Sequence, residues 1–225
     1  MSGNITDYHC HILPGIDDGS DSVETSLSMV KMMKEQGVKK IIATPHFYAH
    51  REKNTESYLN KRQKAFDSLM NAKPEITDIN LGSEVAIERG ICELEGLEKL
   101  SIGKTGFILL ELPYAPFKPW YLEEIDNIST SLKLKVILAH IHRYLDYYKK
   151  DEMEQVLELD TVLQVNNEAF EKFKEKSFVK KLFKQERNII FGSDSHNLDD
   201  RKPNWDVLQK KCKAEYIEKS NMFLG

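Results

Sequence analysis

The chain has few cysteines and no excess of positive charge. Its three cysteines, Cys10, Cys92 and Cys212, are an odd number without a C-x-x-C pair, which argues against a disulfide framework and a zinc ribbon. We expect them to be small buried residues. The 32 basic and 36 acidic side chains give a net charge of −4, so the basic surface needed for non-specific binding of nucleic acid is missing, and no nucleic-acid partner is expected.

Long apolar runs and linker-like segments are also missing. No stretch approaches the ~18 uninterrupted apolar residues of a membrane span, and no basic segment followed by an apolar one precedes Asp7 and His9. We therefore expect a cytoplasmic protein without membrane insertion. Because no Pro/Gly/Ser-rich linker, repeat or low-complexity block interrupts the 225 residues, residues 1–225 are predicted to form a single domain.

Short β-rich runs alternate with longer amphipathic stretches along the whole chain. The seven predicted strands are Ile5–Ile12, Lys40–Thr44, Ile79–Ile87, Phe107–Leu112, Lys135–His140, Thr161–Asn166 and Asn188–Gly192. Helices are predicted between Ser22 and Gly37 and over Thr55–Ala72, Pro119–Leu132, Asp151–Leu159, Ser177–Gln185 and Asn204–Lys219. This order predicts an α/β domain whose mostly parallel sheet is closed, or nearly closed, into a barrel.

Five of the seven histidines stand at the ends of predicted strands, namely His9, His11, His46, His140 and His196. A lone His-x-His is a weak pattern, and any one of these histidines is more often a structural residue. Side chains at the C-terminal ends of barrel strands, however, converge around one mouth. The five imidazoles are therefore predicted to share a site.

Four carboxylates occupy the same kind of position: Asp18, Glu84, Glu111 and Asp194. Glu84 and Glu111 interrupt or end apolar strands, where an unpaired charge is costly to bury, although Glu84 has Arg89 as an alternative partner. The mixed nitrogen and oxygen set suits Mn, Fe or Zn and is larger than one ion needs. Clustered metals activate water and clamp phosphoryl oxygens, so hydrolysis of a phosphate ester is the chemistry indicated.

Two arginines lie close to these residues in sequence. Arg143 follows His140 by three residues, and Arg201 follows His196 by five. Guanidinium groups suit a forked contact to phosphate oxygens. The alternative is a surface ion pair, for Arg201 with Asp199 or Asp200.

The motifs that carry these residues resemble, in their order, the PHP (polymerase and histidinol phosphatase) superfamily, and more closely its bacterial manganese-dependent tyrosine-protein phosphatases, which regulate capsule and exopolysaccharide synthesis. The motifs are D-Y-H-C-H-I-L-P-G-I-D-D-G-S, A-T-P-H, L-G-S-E, L-L-E-L, V-I-L-A-H-I-H-R-Y, Q-V-N and G-S-D-S-H-N-L-D-D-R-K-P. The resemblance implies a distorted (β/α)7 TIM-like barrel. It also implies hydrolysis of phosphotyrosine by a metal-activated hydroxide, with the tail of a bacterial tyrosine kinase as the protein substrate.

The resemblance further implies a cluster of three manganese ions, for which Fe, Zn or Mg would also fit. The implied ligand sets are His9, His11, Glu84 and Asp194 for one ion, Glu84, Glu111 and His140 for a second, and Asp18, His46 and His196 for a third. Arg143 and Arg201 would bind the phosphate. The leaving tyrosinate would be protonated by His46, His142 or a metal-bound water. Relatives often carry glutamate at the position of His142. In this chain we expect His142 to contact substrate, to carry a proton or to face solvent.

Two other functions stay open. A histidinol phosphatase, or another small-molecule phosphomonoesterase, would have a similar site. A non-catalytic metal-binding PHP module is disfavoured because all nine proposed ligands are present. A cysteine-dependent phosphatase is excluded because the residues six positions after the three cysteines are Ile16, Glu98 and Glu218, and none is arginine. No oligomeric state follows from the sequence.

Aromatic and basic residues follow two of the predicted ligands. They are Phe47, Tyr48, His50, Arg51 and Lys53 after His46, and Tyr114, Phe117, Trp120 and Tyr121 after Glu111. We expect these segments either to form loops over the mouth that receive a phosphotyrosyl peptide or to be ordinary packed or solvated loops.

Overall fold

The structure, a computed structural model, describes residues 4–224 and is an α/β fold with parallel strands. The strands are β1 (Ile5–Cys10), β2 (Val38–Ala43), β3 (His46–Phe47), β4 (Asp78–Leu81), β5 (Glu84–Ala86), β6 (Phe107–Glu111), β7 (Lys135–Leu138), β8 (Val162–Asn166) and β9 (Ile189–Gly192). The α-helices are α1 (Val23–Glu35), α2 (Thr55–Asn71), α3 (Trp120–Ser131), α4 (Lys150–Glu158), α5 (Phe173–Lys184), α6 (Trp205–Lys211) and α7 (Ala214–Asn221). The predicted α/β class is confirmed.

The nine strand segments make seven strands around the molecule, as predicted. They form two sheets, ordered β1-β2-β4 and β3-β5-β6-β7-β8-β9. Pro45, which has no backbone N–H, separates β2 from β3. Hydrogen bonds continue across the breaks, from Thr44 N to Cys10 O and from Gly82 N to Ala43 O, both 2.9 Å. β2 with β3, and β4 with β5, are therefore two bent strands, and the predicted strand Ile79–Ile87 is interrupted.

The first and last strands meet only at their C-terminal ends. Cys10 and Ser195 form an isolated parallel bridge. Asp194 N donates to His9 O at 2.7 Å, and His11 N donates to Ser195 O at 2.9 Å. This closure joins the segments that carry four of the predicted metal ligands.

Gly192 permits this close approach. A Cβ at this position would lie 2.6 Å from the Cβ of His9 and 2.8 Å from its backbone nitrogen. Only glycine therefore lets the end of β9 run against β1.

Below the closure, helix α7 fills the gap between β1 and β9. Asn221 Oδ1 accepts a hydrogen bond from Thr6 N, and Ser220 Oγ accepts one from Phe191 N, both at 3.0 Å. Side chains on α7 thus replace the backbone partners that a continuous sheet would supply. The barrel is distorted because these side-chain contacts take the place of strand pairing between β1 and β9.

The single predicted helix Asn204–Lys219 is wrong, because the chain forms α6 and α7 instead. Cys212 and Lys213 between them are extended, with ψ of 152° and 139°. The turn lets α6 bury Trp205 while α7 reaches the open seam between β1 and β9.

The lower barrel interior is filled by apolar side chains. This cluster comprises Tyr8, Ile42, Ile102, Leu109, Ile137, Ala139, Val162 and Ile190, with Phe107, Phe223 and Leu224 packed against it. A larger core lies between the strands and the surrounding helices. Within residues 4–224, no helix combines the length and apolar character needed to cross a bilayer.

The cysteines are all unpaired in the described chain. Cys10 is buried, as expected, and burial raises the pKa of its thiol well above the usual value. Cys92 and Cys212 are only partly buried, so the expectation of burial is wrong for these two.

The seam gives a test of this closure. We expect Ser220→Ala to lower the free energy of unfolding by about 1–3 kcal/mol, because the buried N–H of Phe191 loses the acceptor that it has in the described structure. Urea denaturation measures the change. Ser177→Ala, on the exposed face of α5, is the control and should change stability by less than about 0.5 kcal/mol. Equal effects of the two substitutions would contradict the proposed role of α7.

Candidate metal centre

The strand ends bring the predicted histidines and carboxylates together at one end of the barrel. His9 lies in β1, and His46 pairs in register with Glu84 at the start of β3 and β5. His140 and Asp194, which follow β7 and β9, have φ values of 30° and 50°. This region normally favours glycine, and strain of this kind is concentrated at functional sites.

The first group of potential ligands is His9, His11, Glu84 and Asp194, all buried. His9 Nε2 lies 3.0 Å from Glu84 Oε2 and 3.5 Å from Asp194 Oδ1. His11 Nε2 lies 3.2 Å and 3.4 Å from the same two oxygens. The structure therefore brings together the residues predicted to hold the first ion.

The second group shares Glu84 with the first. His140 Nε2 lies 2.7 Å from Glu84 Oε1 and 3.6 Å from Glu111 Oε1. His46 Nδ1 is also close, at 3.2 Å from Glu84 Oε2 and 4.0 Å from Glu111 Oε2. The potential ligand group here is His46, Glu84 and Glu111. The predicted ligand His140 lies beside both carboxylates of this group.

The third group is His11, Asp18, His46 and His196. Asp18 Oδ1 lies 3.5 Å from Nε2 of both His46 and His196. The predicted set of Asp18, His46 and His196 is assembled here too, with His11 as an additional neighbour. His11, His46 and Glu84 each belong to two groups, so the three groups are contiguous.

Two unpartnered nitrogen atoms show that these groups fit metal ions. His46 Nδ1 and His196 Nε2 are buried and form no hydrogen bond within the described chain. His46 Nδ1 lies 3.2 Å from Glu84 Oε2, and His196 Nε2 lies 3.5 Å from Asp18 Oδ1, but neither pair has hydrogen-bond geometry. Imidazole lone pairs facing carboxylate oxygens across such gaps are the donor set that Mn, Fe and Zn prefer.

The electrostatics of the carboxylates also favour a cation. Burial, followed by the charges of Glu84 and Asp194, raises the pKa of Glu111 to about 9. Burial opposes ionisation of Glu84 as well, but the charge of His9 and hydrogen bonds with His11 and His140 outweigh it and hold the pKa of Glu84 well below its usual range. Without a bound cation Glu111 would therefore be protonated at neutral pH, so its ionised form needs a further positive charge beside it.

Asp17 is a supporting residue that the sequence analysis missed. Its Oδ2 lies 2.7 Å from His11 Nδ1 and accepts a hydrogen bond from His46 N at 2.9 Å. A carboxylate behind a ligating imidazole fixes its tautomer and orientation. The adjacent aspartates in the sequence could have indicated this role. Asp18 faces the cavity, and Asp17 supports His11.

Gln164 and Asn166 of β8 were part of a recognised motif but had no assigned role. Gln164 Oε1 lies 3.1 Å from His9 Nδ1 and accepts a hydrogen bond from His140 N at 2.6 Å. Its Nε2 donates to Asn166 Oδ1 at 2.8 Å. The buried amide therefore ties β1 to the segment after β7.

Both arginines lie at the cavity and bind the same aspartate. Arg143 Nη1 lies 2.7 Å from Asp194 Oδ2, and Arg201 Nη2 lies 3.1 Å from both oxygens of Asp194. Arg201 Nη1 is also 3.7 Å from Asp18. The alternative surface pairing of Arg201 with Asp199 or Asp200 is not formed.

Glu168 completes a ring of hydrogen bonds around Arg143. Its Oε1 accepts from Arg143 Nη2 at 2.7 Å and from Asn166 Nδ2 at 3.0 Å. Asn166 Nδ2 also donates to Asp194 Oδ2 at 3.0 Å. Burial opposes ionisation of Glu168, but His142 and Arg143 lower its pKa to about 2. Arg143 is thus held between two ionised carboxylates.

His142 does not face solvent. Its side chain is 1% exposed, 3.7 Å from Glu168 and 3.9 Å from Glu175 of α5, and it does not line the cavity. The 3-10 helix Ile141–Asp146 places it beneath the surface. The solvent-facing interpretation is wrong, and in this structure the side chain of His142 has no direct access to the cavity.

The cavity above the three groups has a volume of about 780 Å³. Arg143 and Arg201 lie in its wall, and the apolar or aromatic part of its lining includes Ala86, Ile87, Leu112, Pro113, Tyr48, Tyr114 and Tyr147. The predicted loops therefore contribute Tyr48, His50 and Tyr114 to the mouth. Phe47 and Tyr121 are instead buried in the core.

Comparison with known proteins identifies the family. The sequence profile of the CpsB/CapC family, described as capsular polysaccharide synthesis, matches residues 5–222. The chain belongs to the CpsB/CapC family. The resemblance inferred from the sequence motifs is confirmed.

Relatives in the CpsB/CapC family carry phosphatase names. The chain is 29% identical over 230 residues to the tyrosine-protein phosphatase CpsB of Streptococcus pneumoniae, covering 93% of this chain and 91% of that protein. It is 32% identical over 148 residues to the tyrosine-protein phosphatase YwqE of Bacillus subtilis, covering 61% of this chain and 54% of that protein.

Solved structures share the fold of this CpsB/CapC chain. One, from a set described as the metal-dependent tyrosine phosphatases YwqE of Bacillus subtilis and CpsB of Streptococcus pneumoniae, matches with a TM-score of 0.75 at 24% identity, over 95% of this chain and 90% of that chain. The phosphotriesterase homology protein of Escherichia coli matches with a TM-score of 0.55 at 11% identity, over 97% and 96%. The predicted TIM-like barrel is confirmed.

The sharing of Glu84 predicts an unequal loss of metal. Glu84→Gln removes a carboxylate from two of the three groups, so we expect it to lower the bound metal by about two ions per chain. Asp18→Asn, in one group, should lower it by about one. Elemental analysis of the dialysed protein measures the content.

Glu88→Gln is the matched control, because Glu88 lines the same cavity but binds His50 at 2.9 Å. Its metal content should equal that of the wild type. Equal losses in the Glu84 and Asp18 variants would show that Glu84 is not shared.

Proposed function

We propose that the chain is a metal-dependent protein-tyrosine phosphatase. The observation that carries the proposal is the position of Arg143 and Arg201 in the wall of one cavity, above three contiguous groups of metal-binding side chains. The phosphatase names of relatives that align with most of the chain support the same reaction.

The proposed cofactor is a cluster of three manganese ions held by His9, His11, Asp18, His46, Glu84, Glu111, His140, Asp194 and His196. When bound, the ions supply an activated water nucleophile and neutralise charge on the phosphoryl oxygens. The protein side chains would then hold the ions, and the residues behind them would orient the ligand rings. Asp17 and Gln164 fix the imidazole rings of His11 and His9 from behind.

Arg143 and Arg201 bind the phosphate in this proposal. Each side chain is about one third exposed, at 30% and 34%. A guanidinium has five N–H donors, so donors remain after the contacts to Asp194 and Glu168. Fixed cations at this place stabilise the negative charge that spreads over the phosphoryl oxygens in the transition state.

The leaving group is a tyrosinate. A phenol ionises near pH ~10, so it leaves more readily than an alkoxide and depends less on a general acid. Burial lowers the pKa of His46, which keeps its ring neutral at physiological pH. A neutral imidazole is a metal ligand rather than a proton donor. The buried position of His142 leaves water as the proton source.

The proposed protein substrate is the phosphotyrosine-bearing tail of a bacterial tyrosine kinase that controls capsule or exopolysaccharide synthesis. The family description, capsular polysaccharide synthesis, supports this setting. A cytoplasmic location and a single domain over residues 1–225 belong to the same proposal.

Substrate preference tests the proposed function. Manganese-reconstituted protein is assayed on a phosphotyrosyl peptide, a phosphoseryl peptide and histidinol phosphate at pH 7–8. We expect chelator-sensitive hydrolysis of the phosphotyrosyl peptide alone. Activity should fall by more than about 100-fold in His196→Ala, which removes a proposed metal ligand, and in Arg201→Ala, because a lost electrostatic contact to the transition state costs this much. Arg89→Ala, at an exposed arginine outside the cavity, is the control.

Other results would replace the proposal. A preference for histidinol phosphate would keep the metal centre and change the substrate to a small phosphomonoester. Fully metallated protein without turnover of any of the three would favour the non-catalytic binding module.

The ring around Arg143 predicts a positioning role for Glu168. We expect Glu168→Gln to raise KM for the phosphotyrosyl peptide and to weaken inhibition by inorganic phosphate, each by about tenfold, because Arg143 loses a charged hydrogen-bond partner. Metal content should stay unchanged. Glu171→Gln, which disturbs only an exposed pair with Lys211, is the control. A loss of metal together with activity would instead assign Glu168 to the metal centre.

A further inference from the structure

Four tyrosines form a continuous stack that runs from the core to the cavity. Tyr148 and Tyr144 have ring centroids 5.4 Å apart at 16°. Tyr144 and Tyr114 follow at 5.6 Å and 27°, and Tyr114 and Tyr147 at 5.3 Å and 51°. Offset contacts of this kind are favourable and hold each ring in one orientation.

The inner two rings are structural. Tyr144 and Tyr148 are 0% and 5% exposed. The hydroxyl of Tyr144 accepts a hydrogen bond from Leu112 N at 2.9 Å, and that of Tyr148 donates to Pro113 O at 3.2 Å. Both hydroxyls therefore hold the loop that leaves β6 beside Glu111.

The outer two rings are exposed, and both line the cavity. Tyr114 is 41% and Tyr147 is 46% exposed. The hydroxyl of Tyr114 lies 3.1 Å from His140 Nδ1, which places this ring directly beside the metal centre. The side chain of Tyr147 forms no hydrogen bond within residues 4–224, and in the stack its ring contacts Tyr114.

We propose that Tyr114 and Tyr147 are the binding surface for the phenyl ring of phosphotyrosine, and this rests on the proposed function. The phosphate binds at the polar floor of the cavity, which the three metal-binding groups form below Arg143 and Arg201. The phenyl ring attached to the phosphate covers the two exposed tyrosine faces. A phosphoserine has no ring and leaves these faces in water. The two tyrosines therefore select aryl over alkyl phosphate esters.

Steady-state kinetics with manganese-loaded protein test this surface. We expect Tyr147→Ala to raise KM for the phosphotyrosyl peptide about tenfold, the upper range of one aromatic contact plus its buried area. The inhibition constant of inorganic phosphate should stay at the wild-type value, because phosphate touches only the polar floor. Tyr147→Phe keeps the ring and should restore the wild-type KM.

Phe173→Ala is the matched control, because Phe173 is 89% exposed but does not line the cavity. A wild-type KM in Tyr147→Ala, with the wild-type enzyme active on phosphotyrosine, would overturn the surface and leave the proposed function standing. Equal weakening of peptide binding and phosphate inhibition would also overturn it, since the floor would then be affected. Wild-type protein that hydrolyses histidinol phosphate but not phosphotyrosine would overturn both proposals.

Discussion

Glu84, Glu111 and Asp194 lie at most 9% exposed at one end of the barrel, where imidazoles surround them and two arginines contact Asp194. Carboxylates in this environment are costly unless a cation compensates them. The histidines satisfy part of this need, yet burial and neighbouring charge still raise the pKa of Glu111 to about 9. The surrounding strands and side-chain amides hold each carboxylate in place, so the folded state tolerates the free-energy cost of burying it. Metal binding and stability of the site are therefore coupled.

Asp194 takes part in barrel closure and in both proposed roles of the cavity, metal binding and substrate binding. Its backbone N–H closes the barrel on His9, and its carboxylate contacts His9, Arg143 and Arg201. Burial opposes its ionisation, but the charges of His9 and Arg143 hold its pKa well below the usual range. The arginines proposed to bind phosphate are thus fixed through the same group that would hold a metal. These contacts of one carboxylate give a physical reason for a non-glycine residue with a φ of 50° at this position.

The sequence predicted most of the fold because hydrophobic periodicity and strand order are local signals. It also predicted the residues that gather at the strand ends, since strand C-termini of a barrel share one face. It did not predict Asp17, Glu168 or Tyr147, whose roles depend on contacts between distant segments. The split of the last helix at Cys212 and Lys213 was missed for a similar reason, because the open seam between β1 and β9 exists only in three dimensions.

We propose that three contiguous groups of side chains each hold one metal ion at the floor of a phosphate-binding cavity. Anomalous X-ray diffraction from manganese-grown crystals, recorded on both sides of the manganese absorption edge, tests it most directly. The account predicts three anomalous peaks, one in each group, with Glu84 contacting two of them. A single peak, or peaks away from Glu84, would contradict it.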